Sequence, residues 1–123
     1  MDKIVTEQSA IPQVNYYEKD NLINEFVNKL KYYKSELLTT RKKFENNYDV
    51  IIKARKLDEV RDYSIMLLEN LFNCNVLLKK LKKIKKRETS GKNTKGIQKK
   101  MEDVIKNFKL FKRETGKIFE FEL

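Results

Sequence analysis

At 123 residues the chain is the size of one domain, and its 28 Lys and Arg against 18 Asp and Glu leave a net charge of +10. It has no His and one Cys, which removes the commonest general base, any zinc-ligand spacing, an activated thiol pair and an internal disulfide. No run of about 18 apolar residues is present and Met1–Thr6 lacks the apolar core of a signal peptide, so the expected setting is intracellular, cytoplasmic or nuclear, and reducing.

Charged residues make up 37% of the chain, with only three Gly and one Pro, a profile of long helices around a thin core. Abundant Lys, Asn and Ile also fit an AT-rich genome, which raises basic charge without reference to function.

Residues 1–14 have no helical period and contain the single proline, Pro12; they read as a flexible tail. A helix can begin at Asn15, with Glu18 three residues on as an approximate capping box, and run to about residue 45. Ile23, Phe26, Leu30, Tyr33, Leu37, Thr40 and Phe44 keep steps of three and four along it. Leu22, Val27 and Leu38 widen that stripe enough for two neighbours.

Glu45–Asp49 reads as a turn, with Asp49 capping a second helix over 50–88. Val50 and Leu57 lie one heptad apart in the register of that helix, and Phe44 does not share it. One bent helix with a slipped repeat is the alternative. The seam of the second helix reads Leu57, Val60, Ser64, Leu67, Leu71, Cys74, Leu78 and Leu81, and its length is roughly 55–60 Å. Cys74 on that seam reads as a small buried hydrophobe.

The same helix ends in lysines. Lys79, Lys80, Lys82, Lys83, Lys85, Lys86, Arg87, Lys92, Lys95, Lys99 and Lys100 face one acid, Glu88, so this segment holds the whole net charge of +10. These eleven are the candidate anion or partner contacts. Some are also explained by the macrodipole, which favours cations near a helix C-terminus.

Thr89–Gly96 reads as a mobile loop. Its Gly91-Lys92 pair is not a phosphate loop: that pattern needs glycine at Lys86, Ser or Thr at Asn93, and an upstream strand. A third helix over 97–115 places Ile97, Met101, Val104, Phe108 and Phe111 on one face, with Gly116 as its stop. In the tail 117–123, Ile118–Leu123 alternates apolar and acidic residues like a strand with nothing to pair with; Phe119, Phe121 and Leu123 are candidate partner contacts.

The acid clusters Asp58-Glu59-Asp62 and Glu102-Asp103 lie off the apolar stripes and read as solvated or paired with nearby cations. The 13 Tyr and Phe fall mostly on apolar faces and read as core, with one member of each doublet, Tyr16-Tyr17 and Tyr32-Tyr33, exposed. The basic segment admits four readings: a solvated helix end, an acidic protein, nucleic-acid phosphates, or an anionic membrane surface. No aromatic residue occurs between Asn73 and Asn107 and only one of the eleven cations is Arg, so stacking and base-edge contacts are poorly served. The weight falls on solvent and a protein partner, then nucleic acid, then membrane.

The expected fold is therefore all-α, an antiparallel three-helix bundle with long coiled-coil-like helices. Unequal helices leave some seam uncovered, which implies a helical protein partner or a homo-oligomer. The expected function is a non-enzymatic adaptor or assembly subunit, with no cofactor, metal or small-molecule substrate; nucleic-acid binding through backbone phosphates is the alternative. In size and paired long helices the chain resembles small flagellar or type III export chaperones. That resemblance of architecture implies an export-chaperone-like role.

Overall fold

The computed structural model describes residues 16–87 and 92–120, with side chains for 21–84 and 96–120. Among the described residues the elements are four α-helices, α1 (Tyr16–Asn46), α2 (Tyr48–Ala54), α3 (Leu57–Arg87) and α4 (Lys92–Ile118). The expected N-terminal tail and the connection at 88–91 lie outside the described residues.

Helix α1 follows from its stripe. Ile23, Leu30, Tyr33, Leu37 and Phe44 are buried, and Phe26 and Val27 pack half-buried beside them. Leu38, expected to widen the face, is instead 45% exposed. The turn expected over Glu45–Asp49 shrinks to one residue, Asn47, and the helical ladder runs through it. Asn47 N–H donates to the Lys43 carbonyl at 3.1 Å, and Ile51 N–H donates to the Asn47 carbonyl at 2.9 Å. Asp49 is not a cap; it sits in the first turn of α2, and Asn47 holds the N-cap position without a side-chain hydrogen bond there.

The larger break comes at Arg55 and Lys56, inside what spacing predicts as one helix over 50–88. Arg55 is extended, at φ −127° and ψ 158°. The reason is Ile51. At 100° per residue, an unbroken helix would carry Ile51 to the side of α3 opposite the core. Breaking the helix turns α2 so that Ile51 becomes fully buried, while its neighbours Val50 and Ile52 stay exposed. Asp58 and Glu59 then fall in the first turn of α3, where the positive end of the helix dipole favours acids.

Helix α3 is the centre of the packing: it contacts both α1 and α4, and α2 also touches it. Val60, Tyr63, Leu67, Asn70, Leu71, Cys74, Leu77, Leu78 and Leu81 are buried. The predicted seam needs correction at its start. Leu57 is 70% exposed, and Ser64 is only half-buried. A strict heptad drifts about 20° per repeat against a straight helix, so a seam drawn through Leu81 has left the core face by Leu57. Tyr63, Asn70 and Leu77 take its place. Asn70 is a polar group in the core, and its amide Nδ2 donates to the Met66 carbonyl at 2.9 Å within the same helix.

Helix α4 starts at Lys92, inside the expected loop, and it does not stop at Gly116. Ile97, Met101, Val104, Phe108 and Phe111 are buried as spaced, and Ile118 is buried as well. Burial of Ile118, with Phe119 packed half-buried on the core, outweighs the glycine's weak helix propensity. The strand-like reading of the tail therefore fails at its first residue, which is helical; Phe119 and Glu120 form a turn.

Ring contacts tie the three long helices. Tyr33 of α1 stacks on Phe108 of α4 with centroids 4.0 Å apart, and Tyr63 of α3 stacks on Phe111 of α4 at 5.2 Å. Phe44 of α1 meets Tyr63 at 5.1 Å. Outside the core, Lys112 pairs with Glu36 at 3.2 Å, an exposed bridge worth about 0–1 kcal/mol. The Arg55 guanidinium donates through Nη2 to the Lys117 carbonyl, so the residue at the helix break also caps the C-terminal end of α4. No helix among the described residues is long and apolar enough to cross a membrane.

Candidate functional site

Two surface features stand out, one where the C-terminal end of α3 meets the N-terminal part of α4 and one on α3 alone. The first is basic. Lys79, Lys80, Lys82, Lys83, Lys99 and Lys100 are all exposed. The side chains of Lys85, Lys86, Arg87, Lys92 and Lys95 lie outside the described residues, as do Phe121 and Leu123. Lys80 of α3 and Lys100 of α4 meet side chain to side chain, and the contact and repulsion from Lys100 hold Lys80 below the ordinary lysine range. They border a cleft of about 330 Å³ that Asn73, Leu77, Asp103 and Asn107 also line. An anion entering there would relieve the repulsion between two ammonium groups. It would also meet the Asp103 carboxylate, which disfavours it.

The second feature is apolar. Ile65, Leu68, Phe72 and Val76 are 48%, 52%, 67% and 36% exposed. Their steps of three, four and four place them on one stripe, on the side of α3 opposite the core. A surface helix ordinarily turns a polar face outward; one that is apolar on both sides is expected to be covered on both. The signal was legible in the sequence as a second three-four series interleaved with the seam, but Leu67, Leu71 and Leu78 claimed the same segment for the core.

The aromatic end of the bundle is structural. Phe119, a predicted partner contact, is half-buried on the core with the Lys43 ammonium 4.5 Å from its ring centroid. It is therefore largely used within the chain. Tyr32 is the exposed member of its doublet and Tyr33 the buried one. Tyr63 shares a 2.9 Å hydrogen bond with Thr115 Oγ1, and Thr115 in turn donates to the Phe111 carbonyl at 2.8 Å. Burial raises the Tyr63 phenol to about 12, with the Thr115 bond opposing.

Among the described residues, no group of three or more His, Cys, Asp or Glu is placed to hold a metal ion. Cys74 is buried, and burial pushes its thiol up to about 11, with Lys34 pulling it down. At neutral pH it is a thiol, not a nucleophilic thiolate. A second cleft, of about 450 Å³, is lined by Arg55, Glu59, Asp62, Glu114 and Glu120 among others. The Arg55 Nε in it is buried without a hydrogen-bond partner, but the surrounding carboxylates leave no basis for an anion site. No protein-family model matches the chain, and neither a curated protein nor a solved structure matches it.

Proposed function

We propose that the protein is a non-enzymatic helical adaptor or assembly subunit that works by helix–helix contact with a protein partner, a second copy or a different chain. Its three long helices are read as running up, down and up. Contacts support that order: α1 and α3 pair Phe44 with Tyr63 and Lys34 with Cys74, α3 and α4 pair Tyr63 with Phe111 and Lys80 with Lys100. Rising positions on one helix meet falling positions on the next. The observation that carries the functional reading is the outward stripe of Ile65, Leu68, Phe72 and Val76. Burying a large apolar side chain is worth about 1.5–3 kcal/mol, so a partner helix laid along four of them gains substantial driving force.

Affinity capture with the intact chain and with Phe72→Glu tests it. Partners held by the native chain and lost by the variant, at unchanged helicity, support the reading; capture insensitive to Phe72 and Leu68 defeats it. A second reading, nucleic-acid binding through backbone phosphates, rests on the convergence of Lys80 and Lys100 with the exposed Lys79, Lys82 and Lys83. Fluorescence anisotropy with a generic duplex decides it. Phosphate-directed binding must weaken steeply with salt, and no binding at low salt eliminates it.

A further inference from the structure

We infer that the outward stripe of α3 is the interface of a two-fold dimer, in which α3 lies antiparallel against α3 of a second copy. The inference rests on the adaptor reading above and names its partner. Besides the apolar face, its basis is the charge order along α3. Asp58 and Asp62 stand on or beside the stripe at the N-terminal end of the helix, and Lys80 and Lys83 at the C-terminal end; all four are exposed. Helix positions repeat every 3.6 residues, which puts Asp58 and Lys83 within about 20° of the Ile65 line, and Asp62 and Lys80 on one shared flank of it. A two-fold axis passing between Asn70 and Leu71 sets Ile65 against Val76 of the second copy and brings Phe72 and Leu68 together across the middle. The same axis sets Asp58 opposite Lys83 of the second copy and brings Asp62 within one residue's rise, about 1.5 Å, of Lys80.

Each of these charge pairs occurs twice in the dimer. A closed two-fold interface must be complementary to itself, and acids at one end with lysines at the other meet that requirement only in the antiparallel arrangement. A parallel pair would place lysines on lysines. Arg61 lies on the other flank, where the same axis brings it near the exposed Lys79 of the second copy; Asp58 holds Arg61 at 3.3 Å, and that carboxylate, shared with Lys83 of the second copy, offsets this like-charge contact. The pairing also lowers the repulsion within the Lys80–Lys100 cluster by bringing Asp62 beside it.

Light scattering on the full chain, coupled to size exclusion, tests the inference. The expected mass is twice the 14.8 kDa of one chain at micromolar concentration. Phe72→Glu and, independently, Leu68→Glu are expected to give monomers with unchanged circular dichroism, since both positions are exposed. Asp58→Lys with Asp62→Lys is expected to weaken dimerisation about tenfold or more, and adding Lys80→Asp with Lys83→Asp in the same chain to restore it. Lys42→Asp with Lys109→Asp, exposed changes on α1 and α4 that return the same net charge, are expected not to restore it, which makes restoration by Lys80→Asp with Lys83→Asp specific to the antiparallel pairing. A native monomer, a dimer indifferent to Phe72 and Leu68, or failure of the fourfold variant to recover overturns the inference. If the native chain is a monomer that still captures a different protein through Phe72, only the dimer falls; if it captures nothing, the adaptor reading falls with it.

Discussion

Tyr63 and Cys74 are the residues at which burial and ionisation are most tightly linked. Both folded-state values lie above the ordinary ones, about 12 against 10.0 for Tyr63 and about 11 against 9.0 for Cys74. Folding therefore favours the protonated forms. Their contribution to stability is complete below pH 9 and is lost as pH rises through 9 to 12. Chemical denaturation across that range should show a flat neutral region and an alkaline decline. Tyr63→Phe should cost about 0.5–1.5 kcal/mol at pH 7 and remove the part of the decline that begins at pH 10. In the same buried setting, Cys74 should react with thiol reagents at neutral pH only as fast as the protein unfolds. Gly96 and Gly116 lie inside α4, and a Cβ added at either meets nothing within 4 Å. Gly116→Ala should then stabilise the protein by about 0.5–1 kcal/mol, read as a higher denaturation midpoint.

Among the elements, α2 gives the sharpest contrast. Ile51 and Ile52 are adjacent and chemically identical, yet one is fully buried and the other 38% exposed. Ile51→Ala should cost about 2–5 kcal/mol, and Ile52→Ala well under 1 kcal/mol. Similar losses at both positions would mean that α2 is not turned as described. Nothing in the residue types at Ala54, Arg55 and Lys56 announces a break; no Gly, Pro, Asn or Ser is present there. The faint signal is Asp58-Glu59, a suitable first turn for a helix. The asparagine pair at 46–47 looked more turn-like and yet hardly interrupts the ladder, because the core pulls on Ile51 and not on the loop residues.

For the molecule as a whole, the question is which surface is finished. The buried face of α3 has partners in α1 and α4; its outer face has none among the described residues. Seven of the eleven cations that carry the net charge of +10 stand at the C-terminal end of that same helix, so electrostatics and apolar burial act on one element. Raising salt from low to physiological strength should screen the Asp58–Lys83 and Asp62–Lys80 pairs and weaken self-association modestly, by a few-fold. A duplex bound through several phosphates would instead be released by orders of magnitude over the same range. Titrating salt while following both mass and anisotropy separates the two.

Residue order alone was enough for the all-helical character, the core face of α1, the core face of α4 and the burial of Cys74. Each follows from a three-four period that local geometry enforces whatever the neighbours are. Register along α3, the break at Arg55, the run of α4 through Gly116 and the exposure of one apolar stripe out of two depended on packing. On α3 the three-four spacing did place Leu67, Leu71, Cys74 and Leu78 inside, but the exposure of Leu57 and the burial of Tyr63, Asn70 and Leu77 depended on where α1 and α4 lie.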